Sequence, residues 1–140
     1  MRRVTQSGGL VGAAVWDYGG EMQMLRAFWD AASYIDKKAE TVDEGRMKLC
    51  RSGELSELWR DGGLKNVREQ PLDIEMQFES FEDFWQPFLL GQGPAGKYAA
   101  SLDSSHLRRL RDELLRRLSP VGEDVPFVLP ARAWAVCGAV

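Results

Sequence analysis

Leu10-Val11-Gly12-Ala13-Ala14-Val15-Trp16 is an apolar run introduced by Ser7-Gly8-Gly9 and closed by Asp17-Tyr18-Gly19-Gly20. A strand without polar alternation is expected to be buried on both faces, as in the middle of a parallel sheet covered by helices. Almost nothing precedes it, so the chain reads as the second half of an α/β domain.

Outward from that strand the period changes. Met22, Leu25, Phe28, Trp29, Ala32 and Ile35 recur at helical spacing from Glu21 to about Lys38, with Phe28 and Trp29 placed as core. Ser52 fits as N-cap of a short helix carrying Leu55, Leu58 and Trp59 on one face, closed by Gly62-Gly63. Leu64-Lys65-Asn66 reads as a turn. Leu72, Ile74, Met76 and Phe78 then alternate with Asp73, Glu75 and Gln77, which predicts a half-wet strand that Pro71 confines to a sheet edge. Ser80 and Asp83 form a capping pattern ahead of Phe84, Trp85, Phe88 and Leu89, with Pro87 limiting that helix. Gly91-Gln92-Gly93-Pro94-Ala95-Gly96 reads as a loop. A last helix is expected from Ser104 to Leu118, with Leu107, Leu110, Leu114, Leu115 and Leu118 inward and Ser119-Pro120 as its stop. The segment through Val125–Leu129 and Ala131–Cys137 is the final strand, expected to be central.

The 140 residues make room for one compact domain, which buries roughly two thirds of the surface of its unfolded chain. A net charge of −3 gives no bulk reason to expect nucleic acid, and no apolar run is long enough to span a membrane. The start, Met1-Arg2-Arg3, is basic, but the apolar stretch after it is short and runs into Asp17, so no secretory signal is read and a cytoplasmic location is expected. Cys50 and Cys137 are too few for a disulfide scaffold or paired zinc ligands and are expected to be reduced and structural. His106, the single histidine, falls at the start of an arginine-rich helix without a recognisable nucleophile. Gly91-Gln92-Gly93-Pro94-Ala95-Gly96-Lys97 follows the first positions of a phosphate-binding loop, but Tyr98 stands where Ser or Thr is needed and Pro94 removes an amide donor.

Taken together, Ser7-Gly8-Gly9-Leu10, Val15-Trp16-Asp17-Tyr18, Cys50-Arg51-Ser52-Gly53-Glu54-Leu55 with Leu58-Trp59 and Gly63-Leu64, and Ala131-Arg132-Ala133-Trp134-Ala135-Val136 carry a likeness. Their order resembles the C-terminal half of class I S-adenosylmethionine-dependent methyltransferases, in particular the ubiquinone-biosynthesis-like small-molecule methylases. The resemblance implies an α/β, partial Rossmann-like methyltransferase fold. It implies a single domain over 1–140 with a three-stranded mixed sheet, its first, last and middle strands in that spatial order, flanked by helices, with a helical insertion at about 80–118. Ser7 replaces the family's common proline, and Met1 to Gln6 would be the tail of the helix before the family's fifth strand.

The family binds its cofactor with a glycine-rich turn after the first strand and acidic residues at the next ones, and no such segment occurs here. The resemblance therefore implies S-adenosylmethionine as cofactor, with no expectation that this chain alone binds it, and no catalytic residue. What remains is the acceptor side, where the likeness picks out Trp16, Asp17, Tyr18, Phe84, Trp85 and Gln92 for a small-molecule substrate. Each has a plainer reading: Phe84 and Trp85 pack on the Leu107–Leu118 helix, and Asp17 starts a turn or caps a helix. A non-catalytic binding or assembly module on the same fold is the alternative function. Because the Leu10 to Val15 strand is uncharged and lacks a neighbour on one side, a homodimer or a partner chain is expected to cover it.

Overall fold

The apolar run forms strand β1 (Leu10–Trp16), and the helical stripe after it forms α1 (Gln23–Ile35). Short 3-10 turns follow at Lys37–Thr41 and Glu44–Arg46, then α2 (Glu54–Asp61) and the long strand β2 (Lys65–Phe78). Three helices, α3 (Phe81–Leu89), α4 (Gly93–Ser101) and α5 (Ser104–Leu118), lead into β3 (Phe127–Ala139). A computed structural model describes residues 2–119 and 122–140. Pro120, expected to stop the last helix, and Met1 lie outside the described residues, and Arg2–Val4 forms a 3-10 turn.

The fold is α/β, with a sheet ordered β1-β3-β2. The last strand lies between the other two and runs antiparallel to both, as expected, so the sheet is antiparallel throughout and not of the mixed class. Register fixes which backbone groups are used. The Asp17 N–H donates to the Arg132 carbonyl at 2.9 Å, so the even residues of β3 bond toward β1 and the odd ones toward β2. By the same alternation, the N–H and C=O of Leu10, Gly12, Ala14 and Trp16 point away from β3, along the free edge. Pro71, opposite Trp134, turns its missing N–H to the other free edge, which is why β2 tolerates it. Pro130 is tolerated inside the central strand for a related reason: its nitrogen faces the β1 side beyond the point where β1 has ended.

Two cores lie on opposite faces and at opposite ends of this sheet. On one face, Met76, Phe78, Phe127 and Leu129 meet α1, α3, α4 and α5 through Phe28, Trp29, Phe81, Phe84, Phe88, Leu110 and Leu114. Phe28 stacks on Phe88 with ring centroids 4.5 Å apart, and Phe78 on Phe127 at 5.2 Å. On the other face, α2 brings Leu55 and Trp59 onto Val11 and Val136.

Several local expectations change. β1 is buried only at Val11, while Leu10 remains 79% exposed, because no helical layer covers the even face of that strand. The N-cap of α2 is Gly53, and the Ser52 hydroxyl instead donates to Glu69; Leu58 faces outward. Lys65 and Asn66 belong to β2, whose pairing is shifted between Lys65 and Arg68 by a bulge, with Asn66 at a positive φ. The expected loop at 91–96 opens α4, with Pro94 in its first turn. Ser80 caps α3 as expected, its hydroxyl accepting from the Asp83 N–H.

Candidate functional site

β1 ends at Trp16, and the chain turns at once. The Asp17 carbonyl accepts from the N–H groups of Gly20 and Met22, and its carboxylate accepts from the Glu21 N–H at 3.2 Å. A Cβ at Gly20 would fall 2.4 Å from the Asp17 carboxylate, so this turn closes only with glycine. Asp17 is thus buried as the organiser of the turn that leads into α1, and its carboxylate is held inside that turn.

The segment after α1 folds back onto this turn. A Cβ at Gly19 would lie 2.8 Å from the Gly45 carbonyl oxygen, and one at Gly45 would lie 2.7 Å from the Arg26 guanidinium. Arg26 grips Asp43 through both terminal nitrogens, and the Gly45 N–H donates to Asp43 at 2.7 Å. Burial alone would raise the Asp43 carboxyl, but the Arg26 and Gly45 contacts hold it below its usual value. The result fixes residue 44 against the end of β1.

Glu44 is only 7% exposed, and its Oε2 has no hydrogen-bond partner. Burial pushes its carboxyl up from the ordinary value, Asp43 adds to this, and Trp29 and Arg26 pull it back. The Trp29 indole N–H faces it without completing a hydrogen bond. Burial first, and then the Glu44 charge, raise the Tyr18 hydroxyl as well.

Between these pieces and the α3–α4 corner lies a cleft of about 310 Å³, at the lower end of the size range for small-molecule sites. Trp16, Tyr18, Met47, Glu44 and Gln92 line it, with Phe88 and Pro94 at its back. A second hollow of about 550 Å³ shares the Trp16, Tyr18 and Met47 wall and runs past Cys50 and Ala133. Of the residues singled out from sequence, Trp16, Tyr18 and Gln92 come together in the first cleft. Asp17 stands behind it as the turn organiser. Phe84 is fully buried and Trp85 is 3% exposed, both inside the helical core, so neither presents a surface to a ligand there.

The sequence reading did not single out Glu44, Arg26, Asp43 or Met47. Their one local signal is the acidic pair beside Gly45, which announces a tight turn and says nothing of what the turn packs against. Other candidates resolve structurally. His106 Nδ1 lies 2.8 Å from the Asp103 carboxylate at the start of α5, and both cysteines are free, Cys50 buried and Cys137 exposed. Among the described residues no cluster of His, Cys, Asp and Glu fits a metal ion, and no helix is long and apolar enough to cross a membrane. No family model matches the chain, and no curated protein matches it.

Proposed function

We propose that this chain is the substrate-side half of a small-molecule methyltransferase dependent on S-adenosylmethionine, inactive by itself, on a partial Rossmann-like fold. The observation that carries the reading is the cleft at the carboxyl end of β1, where Trp16, Tyr18 and Gln92 converge as an acceptor pocket would require. The reversed final strand inserted between β1 and β2 supports it, since that order was expected from the resemblance.

The residues present do not fit the cofactor. The glycine turn after β1 has spent the amides of Gly20, Glu21 and Met22 on Asp17, leaving none of those donors for a ligand carboxylate or ribose. The glycines at 91 and 93 open α4 beside the acceptor cleft, with Pro94 in place of a donor. Alignment of an acceptor with the methyl donor, the main contribution of such enzymes, would then need a partner to bring the cofactor. The free edge of β1 is the place where a partner strand, from another chain or a second copy, extends the sheet.

Isothermal titration of S-adenosylmethionine into the 140-residue chain is expected to show no micromolar binding; micromolar affinity, about 8 kcal/mol, overturns the half-site reading. Light scattering tests the edge. The chain is expected to self-associate, and Ala14→Pro, which removes an outward N–H while sparing the bonds to β3, is expected to return it to monomer. A wild-type monomer at micromolar concentration removes the second copy from the proposal.

A further inference from the structure

The acceptor cleft holds an imbalance of charge that its hydrogen bonds do not settle. Glu44 lines it, with Asp17, Asp43 and Arg26 behind its wall. Arg26 is committed to Asp43 by a two-pronged contact, and the Asp17 carboxylate accepts the Glu21 N–H. Arg46 reaches toward exposed Glu40 and Arg51 toward Glu54, each at 3.9 Å. Glu44 is left as a carboxyl more than nine tenths buried on the wall of a cavity, no hydrogen bond to it complete, its Oε2 closed off from solvent. A buried carboxylate without a partner is costly, and a ligand that supplies a charged donor there relieves that cost.

The other walls select the same charge. Trp16 and Tyr18 bring aromatic rings, with which cations interact favourably, and Met22, Met24 and Met47 bring polarizable thioethers that accommodate an apolar body.

Resting on the reading of this cleft as a ligand site, we propose that it takes a small apolar molecule bearing a protonated amine, with Glu44 as the residue that receives the ammonium. Arg26 and Trp29 from α1, Asp43 and the Tyr18 hydroxyl are the neighbouring groups that set the field around it.

Calorimetry with three probes of one shape, 2-phenylethylammonium, 2-phenylethanol and phenylacetate, tests this on the 140-residue chain. The ammonium is expected to bind at least about tenfold more tightly than the alcohol, as a hydrogen bond to a charged group requires, with phenylacetate weakest. Glu44→Gln is expected to abolish that preference while leaving the alcohol within about twofold, whereas Glu57→Gln, on the exposed side of α2, preserves it. Equal binding of ammonium and alcohol by the wild type, or a preference that survives Glu44→Gln, overturns the assignment of Glu44 and leaves the cleft as a ligand site. Failure of all three probes to bind at millimolar concentration overturns the cleft reading itself. If Glu44→Gln does not fold, the wild-type comparison decides alone.

Discussion

The two ends of the sheet are built differently. Where β2 and β3 leave β1 behind, Phe78 and Phe127 stack, and four helices close over them with Phe28, Phe84, Phe88, Leu110 and Leu114 almost wholly out of water. At the β1 end, a single two-turn helix contributes Leu55 and Trp59 to one face, and the opposite face keeps Leu10, Ala14 and Cys137 open. Dense packing at one end gives cooperativity, since each aromatic ring is held by several others. The sparse end keeps its strand backbone available, and the cleft lies where the end of β1 meets the helical layer. The contrast places the packed core in the helical half and leaves the β1 strand open.

The largest test of that contrast is Phe84→Ala. Phe84 is fully buried and contacts Phe78, Phe81, Phe88 and Phe127. Its truncation is expected to destabilise the fold by about 3–5 kcal/mol in urea titration, and a loss below about 1 kcal/mol would break the comparison.

A smaller effect belongs to the charge on α5. Glu113 accepts from Arg116 and Arg117, and mainly the Arg116 bonds hold its carboxyl down at about 2. Its folded value lies below the ordinary 4.5, so the stabilisation is complete above that value and is lost as the pH falls toward 2. Thermal melts between pH 6 and pH 2.5 are expected to fall more steeply for the wild type than for Glu113→Gln; parallel curves would show the pairs to be without consequence.

The smallest effect is expected at the open end. Leu10→Ser touches an exposed side chain and is expected to shift stability by no more than about 0.5 kcal/mol. A larger loss in urea titration would mean that the β1 end carries more of the fold than its contacts indicate.

Where periodicity and chemistry agree, the chain was legible. α5 runs over the expected residues because leucines at helical spacing announce it, and Ser80 caps α3 because its hydroxyl lies one turn from the Asp83 N–H. Pro71 marked an edge strand correctly, and the order of the strands followed. The helix α4 was hidden by glycine and proline: Gly96 is required there because a Cβ would lie 2.9 Å from the Gly91 carbonyl carbon, a tertiary fact with no local trace. The polar start of β2 resembled a turn because an edge strand wet on both faces has no hydrophobic rhythm. Apolarity in β1 was a poor guide to burial, since it records what suits a sheet and not whether a neighbour is present. Part of the cleft, Trp16, Tyr18 and Gln92, was picked out through the resemblance. Glu44 was not, because its burial goes with two close approaches between residues far apart in sequence, Gly19 to the Gly45 carbonyl and Gly45 to the Arg26 guanidinium.

Pro71 on the outer side of β2 makes the two edges of the sheet unequal. The edge it occupies has lost a donor and carries Asp73 and Glu75 beside it, whereas the β1 edge keeps every donor and no charge. A sheet that accepts a strand on one side only is completed by a single addition. Two copies joined through β1 would present only β2 edges to solvent, so the growth that turns open sheets into fibrils ends at the first step.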